Sequence, residues 1–116
     1  MFPTHFTHQK NLLTELSALY AREMPHPLNS LAAAAEYHFR NPGKSFRAQL
    51  ALSSGLALGL NTVDNLHWAA ACELLHNASL IHDDISDASI HRRGQESIHQ
   101  HFGSDMALCL GDWMVA

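Results

Sequence analysis

Three carboxylates stand close together at Asp83, Asp84 and Asp87, inside the run Glu73-Leu-Leu-His76-Asn-Ala-Ser-Leu-Ile-His-Asp-Asp-Ile-Ser-Asp87. On a helix, Asp83 and Asp87 lie one turn apart and share a face, and His76, two turns earlier, joins it. Asp84 sits beside them. The opposite side carries Leu74, Leu75, Ala78, Ile81 and Ile85. Like charges at this spacing destabilise a helix by about 0.2–0.5 kcal/mol, and carboxylates near a helix C-terminus oppose its dipole. Something positive should therefore compensate. Carboxylate oxygens suit Mg²⁺, which keeps several waters and bridges a few carboxylates to substrate phosphates. The bland alternative is a solvated acidic face screened by Arg92 and Arg93.

Two cationic groups flank the cluster. Gly43-Lys44-Ser45-Phe46-Arg47 sets a lysine and an arginine at a helix N-terminus, where backbone N–H groups also favour anions. Arg92-Arg93 follows the aspartates, and arginine forks match phosphate geometry. An acidic cluster between two cationic ones is what two phosphorylated ligands and a metal require. Gly43-Lys44-Ser45 is no P-loop, because position 38 is His where that motif needs Gly. The ten histidines are scattered. His99 and His101 form the tightest pair, and neither HExxH nor paired CxxC accompanies them.

The elements that position these groups read as helices throughout, with strand signals nearly absent. A first helix covers about 8–23, with Leu12, Leu13, Leu16, Leu19 and Tyr20 on one buried stripe, and Met24-Pro-His-Pro27 stops it. A second runs about 28–40 through four alanines. Asn41-Pro-Gly43 is a turn. A third spans about 45–59, with Gly55 and Gly59 on one face for close approach of a neighbour. Asn61 caps a long fourth helix reaching about Ile90, with Asp64 at its third position and Arg92, Arg93 and Gly94 as its C-terminal signals. A short helix at 97–102 ends at Gly103, and Ser104 caps a last segment, 105–116. That segment's Met106, Ala107, Leu108, Leu110, Trp113, Met114 and Val115 meet no stop signal. The reading is a chain cut inside a larger fold, or completed by another chain as a homodimer or heteromer.

The 116 residues, 47% of them hydrophobic, suffice for one partial helical domain, 1–116, and exclude disorder. A formal charge of −4 argues against a general nucleic-acid binder. No run approaches a membrane span. No secretory signal is visible, and the lone cysteines, Cys72 and Cys109, fit a reducing, cytoplasmic setting.

The ordered series GKSFR, ELLHNASLIHDDISDASIHRRG, HQHFG and ALCLGD, ending at Asp112, resembles the trans-type polyprenyl diphosphate synthases. It covers about residues 43–112. Ala48 stands where that family usually has proline, and Gln95-Glu96 replaces a common Lys-Pro. The resemblance implies an all-α antiparallel helix bundle, the first half of an isoprenoid synthase fold, and a Mg²⁺-dependent prenyltransferase that joins isopentenyl diphosphate to an allylic diphosphate. Asp83 and Asp87 would ligate Mg²⁺ with Asp84 in support. Arg92 would hold the allylic diphosphate. Lys44, Arg47, His76 and Arg93 would hold that of isopentenyl diphosphate. Small Ala78 and Ser79 below the first aspartate imply a product longer than a farnesyl chain. The family's second aspartate-rich motif is not in this sequence. The competing readings are a non-catalytic helical subunit or remnant that pairs with another chain, and a terpene cyclase, which shares DDxxD without needing GKxxR.

Overall fold

In the computed structural model, residues 2–26, 29–40 and 45–116 are described, with side chains from residue 11 onward. The helices are α1 (Phe2–Glu23), α2 (Ala32–Phe39), α3 (Phe46–Ala57), α4 (Thr62–Ser86), α5 (Ile98–Phe102) and α6 (Ser104–Val115). Between α4 and α5 lies an antiparallel pair, β1 (His91–Arg92) and β2 (Gln95–Glu96). The chain divides into two compact units, one of residues 1–23 and 45–73, the other of 24–44 and 74–116. The expected turn at 41–43, and Lys44 with it, lie outside the described residues.

The first unit forms around the stripe read from α1. Leu12, Leu16 and Leu19 are buried against Ala48, Ala51 and Leu52 of α3 and Ala69 and Ala70 of α4, with Leu13 and Tyr20 partly buried beside them. The two glycines of α3 do different work. A Cβ on Gly55 would fall 1.8 Å from Asn65 Oδ1, so this glycine lets the buried Asn65 amide reach Leu52 O at 3.0 Å. Gly59 instead ends the helix at φ 81. Leu60 N–H reaches Gly55 O and Gly59 N–H reaches Leu56 O, the paired bonds of a Schellman cap. Asn61 caps α4 as expected: its Oδ1 accepts from Asp64 N–H at 2.9 Å, and its amide donates to the Asp64 carboxylate.

In the second unit, Ala34, Ala35 and Tyr37 of α2 pack with Ala78, Ile81, Ile98, Ala107, Leu110 and Met114. Helix α2 begins with the alanine run at Ala32 rather than at the expected 28, because Asn29 Oδ1 takes the Leu31 N–H at 2.8 Å and holds a turn there. The last helix begins at Ser104 itself, with Gly103 as its cap. Its apolar face is mostly covered by this unit's own core; only Leu108 and Val115 among its large apolar side chains are well exposed.

The largest departure from the sequence reading is the end of α4. The helix stops at Ser86, not near Ile90, and 91–96 is a hairpin. Ala88 N–H bonds Ile85 O and Ser89 N–H bonds Asp84 O, a second Schellman cap. Its left-handed position is filled by Ala88 at φ 53. Arg93 and Gly94 form the two-residue turn with φ 54 and 78, the positive pair a type I′ turn demands. They are therefore turn residues rather than helix-terminal ones.

A left-handed alanine costs about 1–2 kcal/mol over glycine, and glycine loses about 0.4–1 kcal/mol of that through a freer unfolded chain. Ala88→Gly is expected to stabilise the protein by about 0.5–1 kcal/mol. A thermal melt checks it, and a lowered midpoint would contradict the cap assignment.

Candidate functional site

The consecutive aspartates point to opposite fates. Asp83 and Asp87 are exposed, whereas Asp84 is 3% exposed. Asp87 follows the last helical residue, so its carboxylate stands at the negative end of the α4 dipole, beside Asp83 one turn back. Both features favour a cation. Asp84 turns inward to Arg92, whose Nη2 donates at 2.6 Å and Nε at 3.1 Å. This bidentate pair raises the Arg92 pKa above its ordinary value, chiefly through the hydrogen bonds to Asp84, so the guanidinium stays charged. Two of its donors are committed to Asp84, and any phosphate contact falls to the other edge of the fork.

Arg93 leaves the hairpin turn and reaches back to α4, where Nη2 donates to Asn77 Oδ1 at 3.3 Å. The same oxygen accepts from His38 Nε2 of α2 at 2.7 Å. His38 and Asn77 are both buried. Burial is the main cause that lowers the His38 pKa to about 4; the arginines add to it, and the Asn77 bond and Asp84 oppose it. His38 is thus neutral at pH 7, with its hydrogen on Nε2. A small cavity beside these groups is lined by Tyr37, His38, Asp84, Arg92 and Arg93. Tyr37 Oη donates to Glu96 O at 2.9 Å, and Gln95 Nε2 donates to Tyr37 O at 3.0 Å, tying α2 to the hairpin.

The expected residues are thus partly brought together. Asp83, Asp84, Asp87, His76, Arg92 and Arg93 belong to one unit, with His76 half-buried on the face of Asp83. Arg47 is exposed in the first turn of α3, in the other unit. The backbone there is not open to an added anion at every N–H: Glu73, buried on α4, accepts from Ala48 N–H at 2.8 Å. Leu75, placed by periodicity on the packed side, is 61% exposed. His99 and His101 do not act as a pair, because His99 Nε2 bonds Ser89 O at 2.6 Å while His101 stacks on Tyr37.

Among the described residues, no group of three or more His, Cys, Asp or Glu side chains is arranged to hold a metal ion. Asp83 and Asp87 nonetheless fit part of a Mg²⁺ site, since that ion typically takes one or two carboxylates and completes its shell with water and phosphate oxygens. His38 and Asn77 were not among the expected site residues. The signal was available in spacing: Asn77 lies two turns before Asp84, just as His76 lies two turns before Asp83.

The chain matches the polyprenyl synthetase family over residues 28–116, and it belongs to that family. It is 43% identical over 83 residues to a short chain isoprenyl diphosphate synthase of Methanothermobacter thermautotrophicus, covering 72% of this chain and 26% of that protein. It is 40% identical over 92 residues to solanesyl diphosphate synthase 2 of Arabidopsis thaliana, covering 74% and 22%. The crystal structure of a geranyltranstransferase from Thermotoga maritima superposes with a TM-score of 0.78 at 32% identity, covering 97% of this chain and 42% of that one. The fold is the helical isoprenoid synthase fold, present in part. The chain spans about a quarter of the length of the curated relatives it matches.

Burying His38 neutral has a consequence for acid stability. Its folded pKa of about 4 lies below the ordinary 6.5, so its contribution is full above pH 6.5 and is lost as pH falls toward 4. The shift corresponds to about 3 kcal/mol. In urea titrations, His38→Gln should lose distinctly less stability between pH 7 and 4 than the parent. Equal losses would show that His38 does not carry this term.

Proposed function

We propose that the protein carrying this chain is a Mg²⁺-dependent prenyltransferase, elongating an allylic diphosphate head-to-tail with isopentenyl diphosphate. The observation that carries the reading is the division of labour along α4. Two exposed carboxylates stand at its C-terminal end, while the third is neutralised by the first of two adjacent arginines. Asp83 and Asp87 are the residues to hold the metal, with Asp84 holding Arg92 in place. Arg92 is assigned to the allylic diphosphate. Lys44, Arg47, His76 and Arg93 are assigned to the diphosphate of isopentenyl diphosphate, each by its place in the motif series. When bound, Mg²⁺ neutralises the departing diphosphate. The arginines add fixed positive charge where negative charge develops. The allylic cation left behind is attacked by the double bond of isopentenyl diphosphate, a proton is lost, and apolar helix walls keep water from quenching the cation.

Free Cys72 and Cys109 favour a reducing compartment, which we take as the cytoplasm. No described helix is long and apolar enough to cross a membrane. Leu50, Leu58, Trp68 and Leu75 are exposed large apolar side chains, which favours cover by further protein, as in a homodimer or heteromer. The matched relatives' names include both short-chain and solanesyl products, so likeness does not select a product length. Ser79 is exposed on α4 four residues before Asp83, and a product longer than a farnesyl chain remains our reading. Ala78 is packed in the core, which makes it a poor site for a test by enlargement.

The partial metal set keeps one second reading in view, a non-catalytic helical subunit that pairs with another synthase chain. Turnover by the full-length protein separates the two. Asp83→Asn and Asp87→Asn should each lower Mg²⁺-dependent kcat by about 10²–10³-fold, with unchanged thermal midpoints. Absence of turnover in the parent would favour the subunit. In an active parent, Ser79→Phe should shorten the product, and an unchanged product length would defeat the chain-length reading.

A further inference from the structure

His38 and Asn77 have no part in the roles assigned above, yet both are nearly sealed, at 4% and 3% exposure. The Asn77 Oδ1 atom has two lone pairs, and two donors point at it: His38 Nε2 at 2.7 Å and Arg93 Nη2 at 3.3 Å. The imidazole sets the rotation of the amide, because a flipped amide would turn its NH₂ group toward both donors. The hairpin turn fixes only the Arg93 backbone, at φ 54. The long side chain beyond it carries much rotamer freedom. A neutral amide oxygen restrains such a chain without cancelling its charge.

We infer that His38 and Asn77 are positioning residues: the imidazole orients the amide, and the amide holds one edge of the Arg93 guanidinium so that the other edge meets the diphosphate of isopentenyl diphosphate. This rests on the role proposed above for Arg93. Neither residue touches the reacting atoms. Their removal should therefore weaken the grip on one substrate without slowing the bond-making step.

The test is steady-state kinetics of the full-length protein with each diphosphate varied in turn. Arg93→Gln should raise KM for isopentenyl diphosphate about tenfold or more. Asn77→Ala should raise the same KM about fivefold. It should leave kcat and the allylic KM within about twofold, and add little on top of Arg93→Gln. His38→Gln, which keeps an N–H donor, should recover most of the affinity that His38→Leu loses. Effects of Asn77→Ala that multiply with those of Arg93→Gln, or that fall equally on both substrates, would overturn the inference. A KM raised by Arg93→Gln but untouched by Asn77→Ala would overturn it while leaving the Arg93 role standing. An Arg93→Gln variant with unchanged KM would overturn that role and this inference together. Should Asn77→Ala fail to fold, the isosteric Asn77→Asp decides by the same criteria, since its carboxylate would draw the guanidinium charge away from the diphosphate.

Discussion

The double hydrogen bond between Asp84 and Arg92 is the interaction on which this region depends. A carboxylate at 3% exposure is tolerable only with a charged partner of good geometry. Breaking such a pair from one side typically costs about 3–5 kcal/mol. Because Arg92 lies in β1, the pair fastens the hairpin to α4. Because Asp84 is drawn inward, its neighbour Asp83 is turned outward by the helical step between consecutive residues. One buried contact thus separates an acidic run into a structural member and two exposed ones.

The same logic repeats along α4. Glu73, Asn77 and Asp84 are buried, and each is met by a group from another element: the Ala48 N–H in the first unit, His38 and Arg93 in the second, and Arg92 in the second. Buried polar groups of this kind leave few alternative arrangements, because every misplacement strands a donor or acceptor. The apolar contacts around them, built largely of alanines and leucines, are far less particular about partner. In this reading the polar row supplies the register of the helices, and the apolar face supplies most of the burial.

Much of this was legible in the residues. The α1 stripe, the proline stop after Glu23, the Asn61 cap and the glycine ending α5 all follow from local chemistry, and the structure has them. The series from Gly43 to Asp112 was enough to indicate the family. The hairpin was not legible, because Arg93-Gly94 after a helix reads equally well as a helix terminus and as a two-residue turn. Local sequence does not choose between them; the pairing of 90–97 does, through Ser97 N–H on Ile90 O at 2.8 Å. Nor did the segment show that Leu75 faces outward, since periodicity finds an apolar face but not which edge of it a neighbour covers. Spacing alone signals Asn77, two turns before Asp84, whereas His38, distant in sequence, announces nothing until the fold places it against that amide.

The hairpin between α4 and α5 behaves as a ruler. Surface connections usually accept insertions, but here two residues of turn separate Arg92 and Gln95, which pair directly, with no slack between them. One residue added within either paired strand would slip the register and send the side chains beyond it to the other side. Asp84 would lose its counter-charge, and Tyr37 would lose its link to Glu96. Length drift in this short stretch is therefore as damaging as loss of an arginine, and alleles of this protein should tolerate changed letters there far better than a changed count.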